Sequence, residues 1–375
     1  MSPLIYFDNA ATSGRKPDCV LTAVKACMQV CANPGRSGHK RSLACANNVL
    51  VCRKALNEYF DGYAYDRVIF TKNCTEALNV ALFGILKQGD HVVTTCMEHN
   101  SVLRPLEYLQ REGRITYDVC GLQEDRSLDI AELQTLLRPN TKLVAITSAS
   151  NVTGEIPDLE KVRKVLPENV LLLVDGAQGA GHIDLKMRGA GIDLLALAGH
   201  KGLLGMQGSG ALLFSDRVEI SPLLYGGTGS ESYSLSMPDF YPDALEAGTL
   251  SYPAICSLLE GVTYLDFRKR EVRPTILDLT AYLIESLEKM QEYSLYSKPN
   301  PCGIVAFRHP LLESEYLADK LSEDFDIAVR GGLHCAPLMH RALGTLEGGL
   351  VRVSLSHFNT KKEIDRLLNA LQILA

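Results

Sequence analysis

The sequence predicts an α/β protein with a mainly parallel sheet flanked by helices, followed by a smaller α/β domain. Through the first two-thirds of the chain, short β-rich apolar runs alternate with segments of helical period, the pattern of parallel strands joined by crossover helices. Run after run ends in a polar or ionisable residue. Near residue 255 the texture changes to long helical segments with few strands.

Taken in order, "RVIF" (67–70) reads as a strand and "CTEALNVALFGIL" as a helix with Ala77, Val80, Ala81 and Phe83 toward the sheet. "DHVVTT" is a strand that stops before Glu98-His99-Asn100. "KLVAITSAS" stops at Asn151, "NVLLLVD" at Asp175, and "IDLLALA" leads into Gly199-His200-Lys201, with "GSGALLF" as a further strand. Parallel α/β sheets bind ligands outside the carboxyl ends of their strands. Thr75, His99, Asn151, Asp175 and Lys201 are therefore expected to share one crevice. "GGTGSESYSLSMPDFYP" (226–242) reads as a functional loop or a cover for a partner subunit. Beyond it, "SLLEGVTYLDF" and "TAYLIESLEKM" read as helices, with strands near "CGIVAF" and "LVRVSLS". The expected division is a large cofactor-binding domain over 15–255 and a small domain from 1–14 with 256–375.

The chain's 38 basic and 44 acidic residues give a net charge of −6 without a basic block, which argues against nucleic acid as a partner. The N-terminus lacks the basic-then-apolar order of a signal, and no apolar run is long enough for a bilayer, so a cytoplasmic protein is expected. Eleven cysteines, an odd number in a long chain, read as reduced thiols. Cys27 and Cys31, four apart in a helical segment, would share a face, as buried small hydrophobes more readily than as a metal pair. "GAGH" and "GMQGSG" lack the dinucleotide spacing, and there is no Walker A sequence.

A lysine at one strand end, an aspartate at another and a helix N-terminus able to hold a phosphate are the parts needed to bind pyridoxal 5'-phosphate. "YFDNAAT", "NCTEALN", "MEHNS", "SNVTGEI", "VDGAQGAGH", "AGHKGLLG", "LEAGT", "GGLHCAP" and "VRVSLSHFNT", in this order over residues 5–360, resemble the class V aminotransferase superfamily and within it the cysteine desulfurases and selenocysteine lyases. The resemblance implies the pyridoxal-phosphate fold type I, with a seven-stranded sheet in the large domain. By the same resemblance Lys201 is the Schiff-base lysine, Asp175 the partner of the pyridinium nitrogen, Gln178 the hydrogen bonder to the ring hydroxyl and His99 the imidazole stacked on the ring. Cys74, Thr75 and His200 would hold the phosphate, with Thr249 of a second subunit reaching it in a homodimer. Arg352, helped by Asn151, would bind the substrate carboxylate, and Cys335 would be the nucleophile that takes sulfur from cysteine and passes it to an acceptor protein, as in iron–sulfur cluster assembly.

Two positions depart from the family pattern. Ala198 stands where a serine usually donates to the phosphate, and Leu333 where the related desulfurases often carry a second histidine. His334 or the bound cofactor is the expected activator of Cys335. Selenocysteine lyase, cystine C–S lyase and transaminase activities fit the same cofactor, and a catalytically silent scaffold for sulfur transfer is the non-enzymatic reading. A zinc site from His334, Cys335 and His340 lacks an evident fourth ligand and a regular spacing. Arg36 and His39 either line the mouth of the site or are solvated.

Overall fold

The computed structural model describes residues 4–30 and 32–375. Its twelve strands are β1 (Ile5–Tyr6), β2 (Val68–Thr71), β3 (Asp90–Thr95), β4 (Ile115–Cys120), β5 (Thr141–Thr147), β6 (Leu171–Asp175), β7 (Leu194–Ala198), β8 (Gly210–Phe214), β9 (Ser294–Leu295), β10 (Ile304–Arg308), β11 (Ile327–Ala328) and β12 (Val351–Ser354). Seven form one sheet in the order β2-β8-β7-β6-β5-β3-β4. All pairings are parallel except those of β8, which runs antiparallel to both β2 and β7.

The central strands are continuous apolar runs because both faces are covered. Leu172, Val174, Leu195 and Leu197 enter one core with helices Lys40–Tyr59 and Leu159–Val165. Leu171, Leu173, Leu194 and Ala196 enter the other with Cys74–Ile85 and Asn100–Arg111. Period-two alternation thus divides each strand between two layers. The cores contain Ala77, Val80 and Ala81, and Phe83 packs against them partly buried, as the helical spacing predicts.

Register sets Thr147 beside Asp175, Asp175 beside Ala196, and Ala198 beside Gly210 at the carboxyl edge of the parallel strands. A side chain at Gly210 would lie 2.7 Å from the Asn73 backbone, so glycine there lets the start of the Cys74–Ile85 helix close onto this edge.

Beyond the main sheet, β12-β10-β9 is antiparallel and β1 pairs with β11 in parallel, bringing the N-terminal segment onto C-terminal elements. One helix, Tyr252–Leu287, spans the stretch read from sequence as two segments. Its start packs in the core of the large sheet and Leu279–Leu287 in the core of the small ones. It contains Pro274. Among the described residues, no helix is long and apolar enough to cross a membrane, and every cysteine is a free thiol. Cys27 is buried in helix Asp18–Met28, and Cys31 lies outside the described residues.

Candidate active site

A cavity of ≈ 480 Å³ opens at the carboxyl edge of the sheet, and Cys74, Thr75, His99, Asn151, Asp175, Gln178, His200 and Lys201 all line it. Eight of the expected site residues, from five connections along the chain, therefore meet. Arg352, Cys335 and Thr249 are not among its lining residues.

Asp175 ends β6 and is 3% exposed. Its Oδ1 accepts from the Ala177 N–H at 2.9 Å and from the Cys74 thiol at 3.3 Å. That contact and burial raise the Cys74 thiol well above its ordinary range, so Cys74 acts as a neutral donor. Lys201 follows β7, and burial lowers its ammonium pKa against the opposing pull of Asp175. Gln178 donates to Ala10 O at 3.1 Å, fixing its amide beneath the N-terminal segment.

Asn73 caps the helix Cys74–Ile85 by accepting from Glu76 N–H. The first two N–H groups of that helix, Cys74 and Thr75, have no acceptor among the described residues. Unspent donors at a helix N-terminus favour an anion. His200 Nδ1 lies 3.1 Å from Thr12 Oγ1, and burial with Lys201 and Lys16 nearby lowers the ring to about 4. His99 caps the next helix, its Nδ1 accepting from Ser101 N–H at 3.0 Å. Burial holds His99 at about 4, so the ring is neutral with its proton on Nε2.

Arg352, on β12, is 1% exposed. Nη2 donates to Asp8 at 2.8 Å and Nη1 to Asn151 O at 2.9 Å, while Nε has no partner. Asn151 in turn donates through Nδ2 to His334 O at 2.7 Å. Thus Arg352 and Asn151 tie the cavity to the loop bearing Cys335.

In that loop His334 and Cys335 have φ of 53° and 58°, left-handed values that cost non-glycine residues about 1–3 kcal/mol each. Both carbonyls are held, His334 O by Asn151 and Cys335 O by Asn100 N–H at 2.7 Å. The Cys335 side chain is exposed and lines a second cavity that shares Thr75, His99 and Ser101 with the first.

His334 does not serve the thiol. It is buried, its ring faces His340 at 3.4 Å and Arg330 O at 3.2 Å, and burial with Arg352 nearby drives it down to about 2. Arg330 Nη2 instead lies 3.9 Å from Cys335 Sγ. In the zinc alternative the two histidines lie together while Cys335 is exposed, and no group of three or more His, Cys, Asp or Glu among the described residues is placed to hold a metal.

Thr249 is exposed. His39 caps helix Lys40–Tyr59, accepting from Ser42 N–H at 3.2 Å. Arg36 is engaged with backbone carbonyls of 227 and 248. Sequence reading gave no role to Asp8, Glu98 or Arg330. Asp8 stands in "YFDNAAT" and Arg330 closes "IAV" before two glycines, but their partners lie far away or across a turn. Glu98 is fully buried, accepts from Thr95 Oγ1 and Thr147 N–H, and is raised to about 8 by burial.

The family model for class-V aminotransferases matches residues 5–367. A probable cysteine desulfurase of Pyrococcus abyssi is 30% identical, covering 99% of this chain and 94% of that protein. One from Synechocystis is 30% identical over 99% of this chain and 90% of its own length. The apo structure of a cysteine desulfurase from Thermococcus onnurineus NA1 superposes with a TM-score of 0.90 at 29% identity, covering 99% of this chain and 94% of that one. With its seven-stranded sheet and these relatives, the chain belongs to the class-V aminotransferase family, alongside enzymes named cysteine desulfurase.

Proposed function

We propose that the protein is a pyridoxal-phosphate-dependent cysteine desulfurase, converting L-cysteine to L-alanine and leaving a persulfide on Cys335. The observation that carries this reading is the convergence of Lys201, Asp175 and a helix N-terminus with two unspent N–H groups on one cavity, with the exposed Cys335 thiol at the adjoining one. The donor set fits the cofactor. Asp175 is a buried acceptor for a ring N–H, Lys201 an amine, and Cys74, Thr75 and His200 surround an anion position. Ala198 supplies no hydroxyl, and the two unspent N–H groups support a phosphate position without it. When bound, pyridoxal phosphate would supply an aldehyde that condenses with amines and a ring that takes up an electron pair.

The residues divide the remaining work. Lys201, with its pKa lowered by burial, takes the Cα proton of cysteine. Arg352, buried and fixed by Asp8, orients the substrate carboxylate with its remaining N–H groups, and Asn151 supports it. His99, kept neutral, offers an apolar ring face. Cys335 Sγ attacks the substrate sulfur, so that an S–S bond forms while the substrate Cβ–S bond breaks. The electron pair stays with the Cβ fragment, which takes up protons to become alanine. Arg330 gives the attacking thiolate a counter-charge.

The same reading carries a large domain over 15–255 and a small one from the two chain ends, a homodimer, a thiol-bearing sulfur acceptor, a cytoplasmic setting and service to iron–sulfur cluster assembly. The exposure of Thr249, outside its own cavity, supports the shared site of a dimer. The test is product analysis with cysteine as sole substrate. Alanine in step with protein persulfide is expected. Pyruvate and ammonia, or a need for a keto acid, would replace this reading with a lyase or a transaminase.

A further inference from the structure

The tetrapeptide Glu246–Thr249 is held by two arginines that line neither the Lys201 cavity nor the Cys335 cavity. From helix Lys40–Tyr59, Arg53 makes a bidentate pair with Glu246, Nη1 to Oε1 at 2.8 Å and Nη2 to Oε2 at 2.5 Å. Both side chains are buried, at 7% and 6% exposure. Glu246 Oε1 also accepts from the Phe70 N–H of β2 at 2.7 Å, while Arg53 lies over the Phe70 ring and donates to Val68 O. Glu246 is thereby pinned to the edge of the main sheet.

Arg36 fixes the other end. Its Nη2 donates to Gly227 O at 2.6 Å and Gly248 O at 2.9 Å, and Gly248 N–H donates to Gly227 O at 2.9 Å. Gly248 has φ +98°, a conformation L side chains rarely adopt, so the chain turns sharply just before Thr249. With both sides of the turn tied down, Thr249 is presented at the surface on a fixed backbone.

A buried ion pair is poor evidence for stability alone, because desolvation offsets much of the attraction, but it specifies geometry well when every donor is met. We propose that Arg53 and Arg36 are positioning residues whose task is to fix Thr249 for the phosphate held in the neighbouring subunit. This rests on the shared-site reading of Thr249 given above. The clamp acts on the phosphate alone and leaves the aldehyde and ring contacts of Lys201 and Asp175 as they are.

The test titrates the stripped dimer with pyridoxal phosphate and, separately, with pyridoxal, which lacks the phosphate, reading cofactor absorbance. Arg36→Ala, which leaves no buried charge unpaired, is expected to weaken pyridoxal phosphate about threefold to tenfold, the effect of one displaced hydrogen bond, with pyridoxal binding unchanged. Glu246→Gln is expected to act the same way and more strongly. Should it fail to fold, Arg36→Ala decides alone. Adding Arg36→Ala to Thr249→Ala should cause no further loss, because the clamp works only through that hydroxyl. Equal weakening of both aldehydes would overturn the proposal in favour of a merely structural pair. If Thr249→Ala weakens pyridoxal phosphate but Arg36→Ala does not, the positioning claim alone falls. If Thr249→Ala has no effect, the shared site and the clamp fall together.

Discussion

The Lys201 cavity and the Cys335 loop are neighbours built on opposite principles. The first is framed by β5, β6 and β7, whose side chains from Leu171 to Asp175 and Leu194 to Ala198 are buried, so its groups are fixed by the register of a two-faced sheet. The second is an irregular turn with two consecutive left-handed residues and an exposed thiol, held at two carbonyls by Asn151 and Asn100. Proton transfer benefits from a dry, rigid setting in which burial tunes Lys201 and His99. In the proposed reaction sulfur leaves the protein, and a thiol at the surface can meet an acceptor. The difference implies two separable functions: substitutions in the sheet-borne cavity should remove all chemistry, and those in the loop only sulfur transfer.

The largest effect is expected at Lys201. Lys201→Ala should lower alanine formation by about 10³-fold or more, as expected when a positioned base is lost, and abolish borohydride trapping of the cofactor on the chain. Trapping on another lysine, located by peptide mapping, would break the comparison on the cavity side.

Arg330→Met sharpens it on the loop side. Loss of the guanidinium beside Cys335 Sγ should slow persulfide formation about tenfold, the effect of one charge-assisted contact. Cofactor affinity should stay unchanged, because Arg330 does not line the Lys201 cavity. Equal loss in both measurements would show that the two regions are not separable.

A smaller and global effect concerns pH. His99, His182, His200 and His357 are held at about 4 by burial and His334 at about 2. The unfolded chain therefore takes up protons on these rings below about pH 6.5 while the folded chain does not. Their contribution is present above that pH and is lost as pH falls toward 4. Glu98, raised to about 8, acts in the opposite sense, losing its contribution as pH rises from 4.5 to 8. Five rings outweigh one carboxyl, so the unfolding free energy should fall between pH 6.5 and 5 by a total on the order of a few kcal/mol, and the urea midpoint with it. Between pH 6.5 and 8 the last gain from the rings and the loss at Glu98 nearly cancel, so the midpoint should stay flat. A midpoint that rises on acidification would contradict the neutral imidazoles of the cavity.

What the sequence made legible follows the same division. The buried parallel strands were readable because each is an apolar run stopped by the residue that enters the cavity, Asp175 after "LLLV" being the plainest. The antiparallel direction of β8 was not, since "GALLF" is as apolar as its parallel neighbours and direction leaves no mark in composition. The edge strand β4, "ITYDVC", was missed because it is half-exposed and carries polar residues. The Tyr252–Leu287 helix read as two because the charged, exposed turn "RKRE" and Pro274 interrupt its apolar period. In the loop, the motif pointed to Cys335, whereas its relation to Arg330, and that of Arg352 to Asp8 344 residues away, arises only when β12, β11 and the N-terminal segment assemble.

The separation of the two regions is tested most directly by Cys335→Ser, read for bound cofactor, cysteine-induced change in cofactor absorbance, persulfide and alanine in the same preparation. The serine keeps the shape of the loop and removes only the nucleophilic sulfur. The expected result is cofactor and cysteine binding at wild-type level with no persulfide and no alanine from cysteine. Wild-type alanine formation by this variant would contradict the account, because the cavity would then be breaking the carbon–sulfur bond without the loop.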